Sequence, residues 1–379
     1  MFTRRSLALM LAVAVLLTGT GFLAGKWVQD YRTAGRGLTV DGANREPVRP
    51  IPELATTGRV IGGLEHQEAM LLGVNGLLRI DPEVLVQIVA AIHERIKIIG
   101  VVSNAEQRAR AVELLKARGL GETSVQFFQW PVESMWVRDY SPYFIVGKHA
   151  TVIDFTYAKP DSDLEEGFGP AFAASFNLHY THSGLTFEGG DLISNGDGVC
   201  ITTPGSFASN SARGYDLNRI GEILHDQFHF GRWVRLDPLH EEPTGHVDMF
   251  LTLCAKNKAV LGVCSRDEDS INAEILDRNA SQLKGEATSS GPMEVVRIPM
   301  PSHRDGVWRT YTNVIYANGI ALVPQYPDSD PNLDKVALDV FQEALPTWKV
   351  IGINCSKLVA QGGGMNRISR HVPSLGITK

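Results

Sequence analysis

The segment DMFLTLCAKNKAVLGV, residues 248–263, contains two apolar runs on either side of the polar sequence Lys256-Asn257-Lys258. Apolar runs flanking a short polar turn are typical of a β-hairpin. The pattern recurs in three further segments: PYFIVGKHATVIDF (142–155), DLISNGDGVCITT (191–203) and NVIYANGIALVPQY (313–326). The chain is therefore predicted to contain four hairpins.

Amphipathic helices are predicted between the hairpins from apolar residues at helical spacing. The sets are Leu217, Ile220 and Leu224; Ile271 and Ile275; and Val336, Val340 and Phe341. The units are irregularly spaced, which excludes a solenoid of fixed period. Hairpins are not parallel crossovers, so a doubly wound sheet explains the pattern less well than a closed ring of strand–strand–helix–strand modules. We therefore predict an α/β fold built as a closed ring of such modules.

The first residues predict an export signal or a membrane anchor. Arg4 and Arg5 precede an uncharged, mostly apolar run over residues 6–25, the arrangement of a signal peptide. The run is also long enough to span a bilayer, so a cleaved signal and an uncleaved anchor both remain open. Residues 26–53 are polar with several prolines and are interpreted as a linker. The domain from 54 to 379 is accordingly expected in the periplasm, outside the cell or anchored to the membrane.

Charge and cysteine usage exclude some classes of function. The net charge is −6 over 379 residues, and without a basic stripe no nucleic-acid partner is expected. The four cysteines are scattered and show no metal-ligand spacing. Without clustered ligands or phosphate-binding loops, neither a metal nor an organic cofactor is expected.

Three polar motifs lie just before a predicted hairpin or at its start: WVRD (136–139), FEGGD (187–191) and TGHVD (244–248). A fourth motif, the glycines 362–364, follows the last hairpin. In a ring of modules, equivalent strand ends converge, so the motifs are expected to line one site. Asp139, Glu188 and Asp248 would supply carboxylates, which suit a planar guanidinium cation. His246 could transfer protons, and a strand would place it on the same face as Asp248.

Each motif also has an ordinary structural interpretation. Arg138-Asp139 could be a simple ion pair, Glu188 a turn residue, and His246 with Asp248 a satisfied core pair. A metal at His246 and Asp248 is not expected, because no further histidine ligand is identified nearby in the sequence. The recurrence of four motifs at equivalent places favours a shared site.

From about residue 54 the chain resembles the agmatine deiminase and bacterial-type peptidylarginine deiminase family of guanidino-group-modifying proteins. The matching segments are MWVRDYSP (135–142), FEGGD with NGDGVCITT, GHVD (245–248) and INCSKLVAQGGG (353–364). The resemblance implies a five-bladed α/β propeller of the pentein type that acts on agmatine, arginine or arginyl peptides without a cofactor. It also implies that Asp139 and Asp248 bind guanidinium, that His246 is the acid/base, and that Glu188 and Trp136 line the pocket. Position 141 departs from the family pattern, because it holds serine where the family usually has glycine.

The stretch QGGGMNRISRHVP (361–373) departs from the family at the reactive position. The family has glycines followed by His-Cys-hydrophobic-Thr at this place. In the alignment of this loop with the family, Asn366 stands at the position of the histidine and Arg367 at the position of the cysteine. A protonated guanidinium has no nucleophilic lone pair, whereas attack on a guanidinium carbon needs an activated thiol or its equivalent. Neither Cys355 nor the hydroxyl of Ser369 is a convincing substitute.

Three functions follow as hypotheses. The first is a catalytically inactive homologue with a guanidinium-binding pocket. The second is an active hydrolase of a guanidino compound, such as a deiminase of putrescine biosynthesis, using non-standard chemistry. The third is an envelope interaction protein with a vestigial pocket. We further expect Arg367 to turn inward and pair with Asp139, Asp248 or both, the alternative being a solvent-facing side chain.

Overall fold

The computed structural model describes residues 58–148, 150–159 and 162–377. The predicted signal or anchor (1–25) and linker (26–53) lie outside these residues. Among the residues that are described, no helix has the length and apolar character needed to cross a membrane.

Strands and helices alternate along the described chain. The strands are β1 (Arg59–Val60), β2 (Ala69–Gly73), β3 (Lys97–Val102), β4 (Gln126–Gln129), β5 (Tyr143–Val146), β6 (Thr151–Tyr157), β7 (His179–Phe187), β8 (Ile193–Ser194), β9 (Val199–Thr202), β10 (Arg232–Arg235), β11 (Leu251–Ala255), β12 (Lys258–Val263), β13 (Ala287–Thr288), β14 (Gly291–Pro292), β15 (Glu294–Pro299), β16 (Ile315–Ala317), β17 (Ile320–Gln325), β18 (Lys349–Asn354) and β19 (Ser369–Val372). The helices are α1 (Val74–Ile80), α2 (Pro82–Ile92), α3 (Ala105–Ala117), α4 (Val137–Tyr140), α5 (Asp163–Glu166), α6 (Phe168–Ser175), α7 (Ala208–Ser211), α8 (Leu217–Asp226), α9 (Ser270–Lys284), α10 (Pro331–Ala344) and α11 (Ser356–Val359).

A common module recurs in the sheets. In β11-β12-β15 an antiparallel hairpin is followed by α9, after which the chain returns as a parallel strand beside β12. The sheets β5-β6-β7, β8-β9-β10 and β16-β17-β18 repeat this order. All four predicted hairpins are confirmed. The turn of the fourth hairpin uses residues that tolerate the left-handed region, Asn318 and Gly319, at φ values of 43° and 96°.

One sheet joins the two ends of the described domain. The C-terminal strand β19 pairs antiparallel with β2. In the same sheet β2 pairs parallel with β3, and β3 pairs parallel with β4. This pairing fixes the loop that precedes β19, and with it Arg367, next to elements from the start of the domain. The mixed α/β class is confirmed.

The predicted helices are also confirmed, and their starts are fixed locally. Asn104, Asp216, Asp269 and Asp330 each accept a hydrogen bond from a backbone N–H in the first turn of the following helix, which satisfies an otherwise orphaned donor. The apolar faces then pack on the sheets, as Phe341 of α10 does in the main core.

Candidate functional site

The four predicted motifs meet in space, on short turns at the ends of longer elements. Asp139 lies on α4, Glu188 precedes the 3-10 turn Gly189–Asp191, and His246 precedes the turn Val247–Met249. Arg367 lies on the turn Met365–Ile368. The interpretation of TGHVD as a strand is therefore wrong. The Asp191 carboxylate accepts the backbone N–H of Val247 at 2.6 Å and that of Thr203 at 2.9 Å, and these bonds hold the motif in a turn.

Arg367 points inward and pairs with Asp139. Its Nε donates to Asp139 Oδ2 at 2.9 Å, and its Nη2 contacts the same oxygen. Nη2 also lies 3.6 Å from Glu188 Oε2. The Arg367 side chain is 3% exposed and that of Asp139 is 0% exposed, so this is a buried ion pair. The expectation of an inward Arg367 is confirmed for Asp139.

The aromatic ring of Trp136 and the glycine loop complete the surroundings of this guanidinium. The Arg367 Cζ lies 5.2 Å from the centroid of the Trp136 ring, a cation–π distance. Nη1 donates to the carbonyl of Gly362 at 3.1 Å.

Each of the three loop glycines answers a local requirement. Gly362 has a φ of 85°, which disfavours other residues. A Cβ on Gly363 would lie 2.6 Å from the Trp136 ring, and one on Gly364 would lie 2.2 Å from Asn313 Oδ1. The glycines therefore let the loop approach the site closely enough to deliver Arg367.

His246 and Glu188 form a second buried pair. His246 Nε2 lies 3.0 Å from Glu188 Oε2. Burial opposes the charge on both groups, yet their mutual hydrogen bond outweighs it, lowering the pKa of Glu188 to about 2 and raising the pKa of His246 to about 9. The nearby positive charge of Arg367 also favours ionised Glu188 but works against protonated His246. At neutral pH the pair is accordingly an imidazolium and a carboxylate.

Asp248 has a different partner from the one expected. Its Oδ2 accepts a hydrogen bond from Asn366 Nδ2 at 3.2 Å, and its buried Oδ1 has no partner among the described residues. Within the described residues it makes no ion pair with Arg367 at 4.0 Å or less. Burial raises the pKa of Asp248, although the charges of His246 and Arg367 oppose this. Pairing of Arg367 with Asp248 is thus not observed.

The site could hold one cation. Ligand atoms of Asp139, Glu188 and His246 all lie within 4.8 Å of one another, and such a carboxylate-rich set suits a positive charge. The guanidinium of Arg367 is such a charge, already in contact with Asp139 and close to Glu188. These carboxylates in turn raise its pKa above the ordinary value against the opposing effect of burial.

Comparison with known proteins shows the family of the chain. The model of the Porphyromonas-type peptidyl-arginine deiminases matches residues 73–373. The chain belongs to this family. A Vibrio parahaemolyticus relative named "Putative agmatine deiminase" is 24% identical over 297 residues, covering 68% of this chain and 81% of the relative.

Solved structures of agmatine deiminases share the fold. The agmatine deiminase of Enterococcus faecalis superposes with a TM-score of 0.72 at 20% identity, covering 88% of this chain and 100% of that one. The C. jejuni agmatine deiminase gives 0.71 at 21% identity, covering 83% and 95%.

The cysteines of this deiminase-family chain lie outside the site. Cys200, Cys254 and Cys355 are buried, Cys264 is half-buried, and all four are free thiols. Burial raises the pKa of each of the four above the ordinary value. Raised pKa values keep the thiols protonated at neutral pH, and the thiol form is a poor nucleophile.

Sequence reasoning missed several residues that support the site. Ser141 Oγ accepts a hydrogen bond from Arg370 Nε at 3.0 Å, and Arg370 stacks on the Tyr143 ring at 4.2 Å. Asn313 accepts the backbone N–H of Asn366 at 3.0 Å and donates to the carbonyl of Asp248 at 2.9 Å. The departure at Ser141 was the one available signal, since it marks a position where a hydroxyl replaces the usual glycine.

Proposed function

We propose that this deiminase-family protein is catalytically inactive and that its guanidinium-binding site is occupied by its own Arg367. The observation that carries the proposal is the buried contact of the Arg367 guanidinium with Asp139, beside Glu188 and over Trp136. A substrate guanidinium would need these same carboxylates. Arg367 therefore satisfies the site in the way a substrate would and keeps free guanidino compounds out.

The chemistry of the side chains supports inactivity. The position that the family resemblance assigns to the nucleophile holds a guanidinium, which stays protonated and cannot attack carbon. His246 is held by Glu188 as an imidazolium, so it can donate a proton but cannot act as a base until it loses one. A hydrolase that works without the cysteine would have to activate water directly, and His246 could do so only after losing that proton.

The finer architecture and the pocket roles belong to the same proposal. We expect the sheets with the hairpin–helix–strand order to be blades of a five-bladed ring with the site at its axis. Asp139, Glu188 and Asp248 would be the residues that bind a guanidino ligand whenever Arg367 leaves. The short separation of Asp139, Glu188 and His246 supports that assignment.

Delivery to the cell envelope is proposed from the sequence alone. Arg4 and Arg5 ahead of the apolar residues 6–25 are the motive. Fusion of residues 1–55 to a reporter that folds only in the cytoplasm should abolish the signal of that reporter. A bright cytoplasmic reporter would refute export.

The test of the proposed function is an assay of ammonia release by the full-length chain, together with the ureido product of each substrate: citrulline from arginine, peptidyl citrulline from arginyl peptides and N-carbamoylputrescine from agmatine. Agmatine, arginine and arginyl peptides would each be supplied, with an active agmatine deiminase assayed in parallel as the positive control. The proposal predicts release no greater than from heat-denatured protein. Saturable turnover of any of these compounds, abolished by Asp139→Asn, would establish the hydrolase instead.

A further inference from the structure

A cavity of about 100 Å³ adjoins the guanidinium site, sharing Asp248 and Asn366 with it but not Arg367. A cavity of this volume holds several water molecules or a small polyatomic ion, because one water molecule needs roughly 10–15 Å³ of cavity volume. Half-buried residues such as Gly63 and Ser194 contribute the more exposed part of its lining.

Two buried arginines line this cavity without a carboxylate partner. Arg138 is 8% exposed and Arg370 is 4% exposed. Within the described residues, no carboxylate oxygen lies within 4.0 Å of either guanidinium. Arg138 donates from Nε to the carbonyl of Asn366 at 2.8 Å, and its buried Nη2 has no partner among the described residues. Arg370 is held by Ser141 and by the carbonyl of Arg138, all of them uncharged acceptors.

The other titratable groups of the lining do not balance these two charges. Among the described residues that line the cavity, Asp248 is the one carboxylate, and its Oδ1 has no hydrogen-bond partner there. His371 donates from Nε2 to the carbonyl of Tyr316 at 2.7 Å, and burial together with the charge of Arg138 lowers its pKa to about 3. Tyr143 and Tyr316 are neutral phenols near pH 7. Two positive charges therefore face at most one negative charge.

We propose that this cavity binds a small monovalent oxyanion, of the size of formate or nitrate, between Arg138 and Arg370. An uncompensated buried charge is costly, and one negative charge would bring the lining to neutrality. A planar oxyanion matches the fork of N–H donors on a guanidinium. The inference does not depend on the proposed function, because Arg367 takes no part in it.

The test is thermal unfolding of the full-length chain in sodium formate or nitrate, compared with sodium gluconate at the same ionic strength. Wild type should show a saturable rise in melting temperature of about 2 °C or more with the small oxyanions, by mass action. Arg138→Gln should remove the rise. Arg219→Gln, at an exposed arginine paired with Glu222, should keep it. A wild-type melting temperature independent of anion identity at fixed ionic strength would mean a cavity filled with water and would overturn the proposal.

A second variant keeps the proposal testable if Arg138→Gln fails to fold. Asp248→Asn removes the one negative charge of the lining, so the dissociation constant for formate measured by calorimetry should fall by about tenfold, since like charge disfavours the anion. An unchanged or weaker affinity in Asp248→Asn would contradict binding beside Arg138 and Arg370.

Discussion

Replacing Arg367 with alanine should lower the free energy of unfolding by about 3–5 kcal/mol, because it leaves a buried charge without a partner. The pair is buried on both sides, with Arg367 3% exposed and Asp139 0% exposed. A loss of this size is a large part of the roughly 5–15 kcal/mol that stabilises a folded domain. The measurement is urea denaturation followed by tryptophan fluorescence. Urea is needed because guanidinium chloride would itself supply a ligand for the site.

Two controls separate the charge from the volume of the side chain. Arg367→Met preserves most of the apolar stem, so it should cost nearly as much as alanine if the unpaired Asp139 carboxylate dominates. The double variant Arg367→Met with Asp139→Asn removes both charges and should recover about half or more of the loss. Arg219→Ala, at an exposed ion pair, should cost no more than about 1 kcal/mol.

The reasoning would be refuted by an Arg367→Ala variant that loses less than about 1 kcal/mol. It would also fail if the double variant were as unstable as the sum of the two single variants, since that result would mean no energetic coupling between the two side chains.

Three further predictions concern neighbouring residues. The pKa of His246 is raised to about 9 from 6.5, so it contributes stability below pH 6.5 that is lost as the pH rises through 9. The pKa of Glu188 is lowered to about 2 from 4.5, so it contributes stability above pH 4.5 that is lost as the pH falls toward 2. Glu188→Gln should therefore flatten the decline in unfolding free energy between pH 6.5 and 9, and an unaltered decline would rule out the pair as its cause. Trp136→Leu should lower the unfolding free energy by about 2–4 kcal/mol through lost packing and the lost cation–π contact with Arg367. This loss should be smaller in an Arg367→Met background, and equal losses in both backgrounds would exclude a stabilising cation–π contact. The double variant Arg367→Cys with Asn366→His should release ammonia from agmatine, with N-carbamoylputrescine as the second product, at a rate at least about tenfold above that of Arg367→Cys alone, because it restores the histidine beside the thiol. Equal rates in the two variants would contradict that role for residue 366.

Much of the fold could be predicted because its signals are local. Each hairpin has its turn residues between its own two strands, as Asn318 and Gly319 are in β16–β17. Four of the long helices start after a residue whose side chain caps them directly, as Asn104 does for α3. The pairing of β19 with β2 joins residues about 300 positions apart and has no comparable local signal.

The sequence predicted which residues form the site but not which of their side chains contact each other. Convergence of Asp139, Glu188 and His246 was predicted from the repeated place of their motifs, and the place of Arg367 was predicted from the resemblance of its loop to the family. The backbone of His246 to Asp248 was misassigned, because the turn there depends on the carboxylate of Asp191, 56 residues earlier. A side-chain contact so distant in sequence overrides the local strand pattern.

The support by Ser141 and Arg370 was missed for the same reason. Ser141 was recognised as a departure from the family pattern, but its partner lies 229 residues away. Asn366 was judged only as the loss of a histidine, whereas in the structure its side chain satisfies Asp248. Such pairings depend on tertiary geometry that a single sequence does not display.

The central claim, that Arg367 occupies the guanidinium site, is tested most directly by calorimetric titration of agmatine into the wild-type chain and into Arg367→Ala. We predict no measurable binding to wild type at millimolar agmatine, binding to Arg367→Ala, and loss of that binding when Asp139→Asn is added. Putrescine, which has an ammonium group in place of the guanidinium, should bind the Arg367→Ala variant more weakly than agmatine. Agmatine binding to wild type as tightly as to Arg367→Ala would contradict the account.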